Sequence, residues 1–596
     1  MPLASLAIVG AGLGAAAPAR AATAPVKAAP AGRVAQINLS GTLAERPHGF
    51  KISLLSMGQP KAPALSTLIT RLSKMVHDKS LAGVELNLHS FSLSLTQAQE
   101  LGELIHQLRI HHKRVITFAS SFDTNTYLLA SYGDTIIMPK SGDMFLPGVA
   151  LQLMFFNGLL QKLHIQADMV QIGKYKGAEE PLTRTSASKP FADDIHRLVN
   201  SLYAQLLSTI AANRPPLTTA TVKTLVDRGW FSGASARKNH LVDLLMNRGQ
   251  VDPWMKRQFK SGFKLLKHYD AHVHSAPNFS SPFALFKLFS APARHSGGNT
   301  PSIAVIYADG VIMDDSPAND QNGALVTPSR IRRETARALK NPLVKAIVLR
   351  IDSPGGSAAA SDTIWHILHQ ANKIKPVTVS MGSEAASGGY YIACAGRTIT
   401  ADPGTITGSI GVVGGKVDIA GLLKKVGVHL QTFSRGKHAN LFGMTSNFTP
   451  SERAFVHKLM LQTYKQFTGR VMANRGKKIA NIQAVARGRV FSGQAAIKAG
   501  LVDNNGSLYD VVLAAAKKAN IASHYRMQIY PRARSLAGVL RHALAVGPQM
   551  PTPLALGLAA MPIDMRKQAD AMFQMVTALR QDRLLLAMPV GIILKR

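Results

Sequence analysis

Two kinds of hydrophobic pattern alternate along the second half of the chain. Short apolar runs rich in β-branched residues, VKAIVLRID (344–352) and PVTVSM (376–381), are typical of buried parallel strands. The segments SRIRRETARALKN (329–341) and DTIWHILHQANK (362–373) instead carry apolar residues at helical spacing. Strand–helix alternation of this kind predicts βαβ units with right-handed crossovers. We therefore expect an α/β fold.

The same order of segments occurs twice along the chain, at a nearly constant offset. YLLASYGDTIIMP from Tyr127 matches YYIACAGRTITADP from Tyr390. DRGWFSGASARKNHLVDLL from Asp227 matches ARGRVFSGQAAIKAGLVDNN from Ala486. Ordered matches at long range indicate an internal repeat. The sequence thus predicts a tandem duplication, in which each copy is one α/β unit.

The duplication divides the chain into segments. Our division is 1–30, a signal peptide or weak N-terminal membrane anchor; 31–275, the first copy; 276–300, a linker rich in Pro, Ser and Gly; 301–535, the second copy; and 536–596, a C-terminal extension. The tail DRLLLAMPVGIILKR (582–596) is apolar. It could pack on a neighbouring protomer or a membrane, or complete the core.

The N-terminal segment is uncharged and apolar up to Arg20, and ARA at 19–21 has the form of a signal-peptidase cleavage site. It lacks a basic start and is short against the roughly 20 residues of a membrane helix. We expect an exported protein, held at the inner membrane and facing the periplasm. A soluble periplasmic protein cleaved near Ala21 is the alternative.

The net charge of +36 leaves two interpretations open, an attraction to anionic membrane surfaces and a general basic surface bias. No nucleic-acid-binding motif accompanies the charge, so nucleic acid is not an expected partner. A single cysteine excludes an intrachain disulfide. His268, His272 and His274 in HYDAHVH fit a strand with alternating histidines better than a metal site. No metal or cofactor is expected.

Two glycine-rich turns follow consecutive strands in the second copy. In RIDSPGGSAAAS (350–361), Pro354 ends the strand and the glycines allow close approach of a substrate. In SEAASGGYYIACAG (383–396), Ser387 stands at a strand-to-helix turn, where the helix N-terminus favours negative charge. Ser387 is therefore a candidate nucleophile, and the N–H groups of Gly356 and Gly388 are candidate oxyanion donors.

The first copy lacks these features. Where the second copy has DSPGGS, it has LHSFSLS (88–94), and Thr124 aligns with Ser387. The first copy cannot form the same oxyanion hole. If it contributes to catalysis, it contributes something else.

A nucleophilic serine needs a proton acceptor, and lysine can serve where burial lowers its pKa toward neutrality. Two lysines compete for this role. Lys176 lies in IGKYKGAEEPLTR of the first copy, and Lys437 lies in FSRGKHANLF at about the equivalent place of the second. The composition of the two segments does not show which lysine is the base.

The segments DSPGGS, SEAASGGYYIA, GTITGSIGV and YKGAEEP together resemble the long, duplicated form of signal peptide peptidase A, a bacterial serine/lysine protease. The resemblance covers most of the chain. It implies two tandem domains of the crotonase/Clp-protease-like ββα superhelix type, and a homotetramer held to the membrane.

The resemblance also implies roles for the candidate residues. Ser387 would be the nucleophile, Lys176 the general base, and Gly356 and Gly388 the oxyanion donors. Lys437 stays as the alternative base, because short, unduplicated members carry the lysine in the same unit as the serine.

The function implied is an endopeptidase that degrades cleaved signal peptides and short hydrophobic peptides through an acyl-enzyme. Two alternatives use the same sequence features differently. A crotonase-like enzyme acting on acyl-thioesters would share the oxyanion amides, and a non-catalytic membrane scaffold would use only the basic surface.

Overall fold

The computed structural model describes residues 32–47, 63–259, 263–269, 299–316, 325–531, 584–588 and 593–595. Within these ranges the chain forms parallel sheets flanked by helices, as the alternating pattern predicts. None of the described helices combines the length and apolar character needed to span a membrane.

The first copy is built around a six-stranded sheet in which all neighbouring strands are parallel. Its elements are β1 (Arg33–Thr42), α1 (Leu65–His77), β2 (Leu81–Ser92), α2 (Leu95–Ile110), β3 (Arg114–Ala119), α3 (Thr124–Ser131), β4 (Thr135–Met138), β5 (Asp143–Phe145), β6 (Ala150–Gln152), α4 (Asn157–Lys162), β7 (Gln166–Ile172), α5 (Glu180–Thr183), α6 (Lys189–Asn213), α7 (Thr219–Arg228), β8 (Trp230–Ser232), α8 (Gly233–Lys238), β9 (Leu244–Leu245), α9 (Arg248–Gln258) and β10 (Lys264–Leu266).

The second copy repeats most of this order of elements. They are β11 (Ser302–Asp309), β12 (Val311–Ile312), β13 (Leu325–Val326), α10 (Pro328–Lys340), β14 (Val344–Ser353), β15 (Gly355–Ser357), α11 (Ala358–Ile374), β16 (Val377–Ala386), α12 (Gly388–Ala393), β17 (Ile399–Ala401), β18 (Ile406–Gly408), β19 (Val412–Asp418), α13 (Ala420–Lys425), α14 (Pro450–Arg475), α15 (Ile482–Val485), β20 (Val490–Ser492), α16 (Gly493–Lys498), β21 (Asn504–Asn505), α17 (Leu508–Lys518) and β22 (Arg526–Tyr530). Two C-terminal strands follow, β23 (Leu584–Ala587) and β24 (Ile593–Lys595).

The topology of the two main sheets reflects the duplication. The order β10-β1-β2-β3-β4-β9 in the first copy corresponds to β22-β11-β14-β16-β17-β21 in the second. The short antiparallel pair β5–β8 likewise corresponds to β18–β20. The two copies therefore share an architecture as well as sequence motifs.

A third sheet joins the copies, in the order β13-β12-β15-β23-β19-β7. In it, β7 of the first copy pairs antiparallel with β19 of the second over seven residue pairs, from Gln166–Asp418 to Ile172–Val412. The core also crosses the boundary, since one cluster of buried apolar side chains includes Leu86 of the first copy and Val305 and Leu508 of the second. The described parts of the copies thus share a continuous core.

Two predictions about single strands need correction. The strand predicted at 376–381 runs on to Ala386, directly before Ser387. The strand predicted through His268 was wrong: β10 ends at Leu266, where its pairing with β1 ends, and His268 lies in a turn. His272 and His274 lie outside the described residues. Most of the domain boundaries inferred from the sequence also fall there, and they stay predictions.

Candidate active site

Ser387 stands between the end of β16 and the start of α12. Its backbone adopts φ 54° and ψ −112°, a conformation that non-glycine residues rarely take. Its N–H donates to the Gly408 carbonyl at 2.8 Å, and its own carbonyl accepts from Tyr391 N at 2.8 Å. The side chain makes no capping hydrogen bond to the helix. The Ser387 hydroxyl is therefore available for another partner.

Lys176 enters from the turn that follows β7. Its N–H donates to the Gly173 carbonyl at 3.0 Å, and the preceding residue, Tyr175, donates its N–H to the Arg487 carbonyl of the second copy. Gly488, at φ 88°, leaves room for this approach, because a Cβ there would lie 2.3 Å from Lys176 N. Residues of the second copy thus hold the turn that carries the lysine.

The two candidate residues meet although 211 positions separate them. Lys176 Nζ lies 2.7 Å from Ser387 Oγ, and both residues are completely buried. A neutral amine at this distance can accept the hydroxyl proton of Ser387. The arrangement has the geometry of a nucleophile and its general base.

Ser409 completes the surroundings of the lysine. Its carbonyl oxygen lies 2.9 Å and its Oγ 3.0 Å from Lys176 Nζ. Together with Ser387 Oγ these atoms fix the position of the amine. Sequence reasoning assigned no role to Ser409, although it stands in the quoted segment GTITGSIGV. Only the folded chain shows that this serine faces the lysine.

Burial favours the neutral form of the lysine. Desolvation lowers the pKa of Lys176 to about 7, while the charge of Glu179 acts in the opposite direction. Among the described residues, no carboxylate forms an ion pair with Lys176 within 4.0 Å. The amine is therefore able to act as a base near neutral pH.

The two glycine turns lie side by side next to Ser387. Gly355 and Gly356 have φ values of 97° and 150°, which favour glycine. A Cβ on Gly388 would lie 3.2 Å from Gly356 N, so the backbones of the two candidate oxyanion donors are neighbours. The structure brings Ser387, Lys176, Gly356 and Gly388 to one place.

The C-terminal strand β23 covers this place. It lies between β15 and β19 and is antiparallel to both, with Leu586 opposite Gly356. A Cβ on Gly355 would meet the Leu586 carbonyl oxygen at 2.1 Å and Gly388 N at 2.6 Å. The Leu586 carbonyl thus faces the glycine turns. Three places were possible for the apolar tail. Its residues Leu584–Ala587 lie in the third sheet of the protein itself.

Lys437 and Thr124 lie in different surroundings. Lys437 is exposed, in the loop between α13 and α14. Thr124 is buried at the first position of α3, which Asp123 caps by accepting a hydrogen bond from Thr126 N at 2.8 Å. The structure does not bring Lys437 into hydrogen-bond contact with Ser387, whose amine contact is Lys176.

The site contains groups for acyl transfer and none of the usual metal ligand sets. Within the described ranges, no group of three or more His, Cys, Asp or Glu side chains is arranged to hold a metal ion.

Comparison with known proteins identifies a peptidase family, which agrees with the geometry of the site. The sequence profile of Peptidase family S49 matches residues 107–261 and 369–522, once in each copy. "Protease 4" of Salmonella typhi is 28% identical, over 81% of this chain and 78% of that protein. "Serine protease SPPA, chloroplastic" of Arabidopsis thaliana is 27% identical, over 79% of this chain and 68% of that protein. "Protease 4" of Haemophilus influenzae is 28% identical, over 77% and 74%.

Proposed function

Because this chain belongs to peptidase family S49, in its long, duplicated form, we propose that it is a signal peptide peptidase with a Ser–Lys catalytic dyad. The observation that carries the proposal is the 2.7 Å distance between Lys176 Nζ and Ser387 Oγ inside a buried site. The names of the three relatives described above, each a protease, support the same class of reaction.

In the proposed mechanism, Ser387 Oγ attacks the carbonyl carbon of the scissile bond while its proton passes to Lys176 Nζ. The N–H groups of Gly356 and Gly388 stabilise the oxyanion that develops. Lys176 then gives the proton to the leaving amine, which leaves an acyl-enzyme. Lys176 next takes a proton from water, and the resulting hydroxide attacks the ester carbonyl. As the acid product leaves, Lys176 returns the proton to Ser387 Oγ.

The substrate class proposed is short, extended, hydrophobic peptides, including cleaved signal peptides. Supporting this class is the way β23 lies beside the glycine turns: a four-residue apolar strand fits between β15 and β19 by backbone pairing. An extended peptide of similar character would match that place. The resemblance to the family implies a preference for small or aliphatic side chains near Ser387.

The remaining parts of the proposal follow from the resemblance. They are a crotonase/Clp-protease-like superhelix in each copy, a homotetramer, contact with a membrane surface, and a location at the bacterial inner membrane facing the periplasm. A soluble periplasmic form after cleavage near Ala21 is the alternative location. The residues before 32 lie outside the described ranges.

The test compares Ser387→Ala, Lys176→Ala and Lys437→Ala. We expect the first two variants to lose cleavage of a hydrophobic peptide by roughly a thousandfold or more, because each removes one member of the dyad. Lys437→Ala is the matched control and is expected to keep the activity of the unmodified protein. Peptide cleavage is followed by mass spectrometry.

Labelling with a fluorophosphonate probe separates this proposal from the alternatives. A crotonase-like thioester enzyme needs no activated serine, so the probe would not label its Ser387. Full peptidase activity in Ser387→Ala and Lys176→Ala would contradict the dyad. Loss of activity only in Lys437→Ala would move the base to the second copy.

A further inference from the structure

Arg489 lies beside the candidate site, and the dyad mechanism gives it no role. It follows Gly488 and precedes strand β20 of the second copy. Its side chain is half-buried, and its Nε is buried without a hydrogen-bond partner in the described part of the chain. Of the ion pairs within 4.0 Å that the described residues form, none involves Arg489. A partly buried guanidinium without a carboxylate is costly, so its remaining contacts must offset that cost.

The guanidinium of Arg489 holds the residue next to the lysine. Arg489 Nη2 donates to Tyr175 Oη at 2.8 Å, and Arg489 Cζ lies 4.0 Å from the centre of the Tyr175 ring. A guanidinium over an aromatic face is attracted by the ring quadrupole. Both contacts cross from the second copy to the first, over 314 positions of sequence. Because Tyr175 directly precedes Lys176, Arg489 fixes one side of the turn that carries the base.

The backbone of Arg489 holds the other side of the amine. Its carbonyl accepts a hydrogen bond from Ser409 N at 2.6 Å. Ser409 has φ 53°, a conformation that its surroundings have to maintain. Its own carbonyl and Oγ lie 2.9 Å and 3.0 Å from Lys176 Nζ. One residue of the second copy thus contacts both the turn that carries the lysine and the serine that receives its amine.

The neighbouring charges oppose the position of this guanidinium. Burial and the charge of Arg489 both lower the pKa of Arg197 on helix α6. Lys174 Nζ lies 5.5 Å from the centre of the Tyr175 ring, the ring that Arg489 also contacts. The carboxylate of Asp194 on the same helix is paired with Arg197. The contacts with Tyr175 therefore have to outweigh repulsion from two other cations.

We propose that Arg489 is a positioning residue for the proposed peptidase reaction: its guanidinium holds Tyr175 and its carbonyl holds Ser409, and these contacts keep Lys176 Nζ against Ser387 Oγ in a site closed to water. The inference rests on the proposed function and extends it to a residue that touches neither the substrate nor the reacting atoms. A displaced turn would lengthen the 2.7 Å distance between the amine and the hydroxyl, on which proton transfer depends. It would also admit water to the amine.

The test is the pH dependence of Ser387 acylation by a fluorophosphonate probe in the full-length protein. Only the neutral amine accepts a proton, so the rate rises with pH through the pKa of Lys176. Arg489→Met keeps a long side chain but removes the hydrogen bond and the charge. We expect the maximal rate to fall by roughly tenfold to a hundredfold. Hydration returns the pKa of Lys176 toward its ordinary value, so the acid limb should move to higher pH by about half a unit to one unit.

Three further variants separate position from charge. Tyr175→Phe removes only the hydroxyl that Arg489 binds, leaves every charge in place, including that of Glu179, and should move the limb in the same direction by a smaller amount. Arg489→Lys keeps the charge but not the planar donor group, and should restore the rate only in part. Arg114→Met is the matched control, since Arg114 is also half-buried and lies 5.7 Å from the centre of the Phe259 ring, at the start of β3. It should leave the profile unchanged.

The outcomes are distinguishable from failure of the proposed function. If Ser387 is not labelled in the unmodified protein, the dyad itself fails. If labelling depends on Ser387 and Lys176 but the limb stays in place in both Arg489→Met and Tyr175→Phe, only the positioning role of Arg489 is overturned. A purely structural role would lower the rate at every pH without moving the limb. If Arg489→Met does not fold, the Tyr175→Phe profile decides.

Discussion

Ser387 combines an unusual backbone conformation with complete burial. A non-glycine residue at φ 54° and ψ −112° costs about 1–3 kcal/mol, which the surrounding structure must offset. The hydrogen bonds of its N–H to Gly408 and of its carbonyl to Tyr391 hold it there. The conformation directs the hydroxyl away from the helix and toward Lys176, so the strain has a place in the proposed chemistry.

At the same scale, the ionisation of Lys176 predicts a pH dependence. Burial lowers its pKa to about 7, and only the neutral amine accepts the proton of Ser387. We therefore expect kcat/KM of the unmodified protein to rise with pH and to reach half its plateau near pH 7. Steady-state cleavage of a hydrophobic peptide, measured across that range, tests this. A rate that falls as pH rises through 7 would contradict a lysine base.

Among the elements, β23 stands out because the chain's C-terminal region supplies a strand that pairs with Gly355 and Gly356, beside Ser387. Leu585 and Leu586 are completely buried, and both edges of the strand are paired. In this arrangement Ser387 is not exposed at all. A peptide that binds between β15 and β19 must take the place of this strand.

Weakening β23 should therefore expose the nucleophile. Leu586→Asp places a charge in the buried strand and removes roughly 2 kcal/mol of stabilisation from side-chain burial. The fraction of molecules in which β23 is displaced should therefore rise by about tenfold or more. We expect faster labelling of Ser387 by a small fluorophosphonate. Leu586→Met, which keeps an apolar side chain, is the matched control. Slower labelling in a folded Leu586→Asp protein would mean that β23 supports the site instead of covering it.

Most of the helices and strands discussed could be predicted from the sequence. The contacts between residues of the candidate site could be predicted only in part. β14 and α11 contain the segments predicted from hydrophobic spacing, and α10 covers its segment up to Lys340, since that spacing is a local property. Lys176 and Ser387 were both candidates, but the choice between Lys176 and Lys437 needed a resemblance. Ser409 had no assigned role, and the tail that contains β23 had three possible places, because their contacts involve residues distant along the chain.

On the scale of the whole molecule, buried polar contacts join the two copies. Arg350 of the second copy lies 2.7 Å from a carboxylate oxygen of Glu45 and 2.6 Å from one of Glu100, both of the first copy. All three side chains are buried. Arg350 stands on β14, the strand that leads to the Gly355–Gly356 turn. Strand β14 thus carries the contact between the copies and also leads into the Gly355–Gly356 turn.

Removing this arginine should destabilise the protein strongly. Arg350→Met leaves two buried carboxyl groups without their partner, and we expect a loss of about 3–5 kcal/mol in the free energy of unfolding. Arg333→Met is the control, since Arg333 is exposed and its pair with Glu334 should contribute about 1 kcal/mol or less. Urea denaturation followed by circular dichroism measures both. Equal effects of the two changes would contradict a role for Arg350 in joining the copies.

The division of the site between two copies also bears on how the gene can evolve. If Lys176 of one copy and Ser387 of the other form one site, selection preserves each chemical function in one copy only. The counterpart positions, Thr124 in the first copy and the neighbourhood of Lys437 in the second, are then released from catalytic selection and can drift. On that condition each half depends on the other, and deletion of either copy would remove the site.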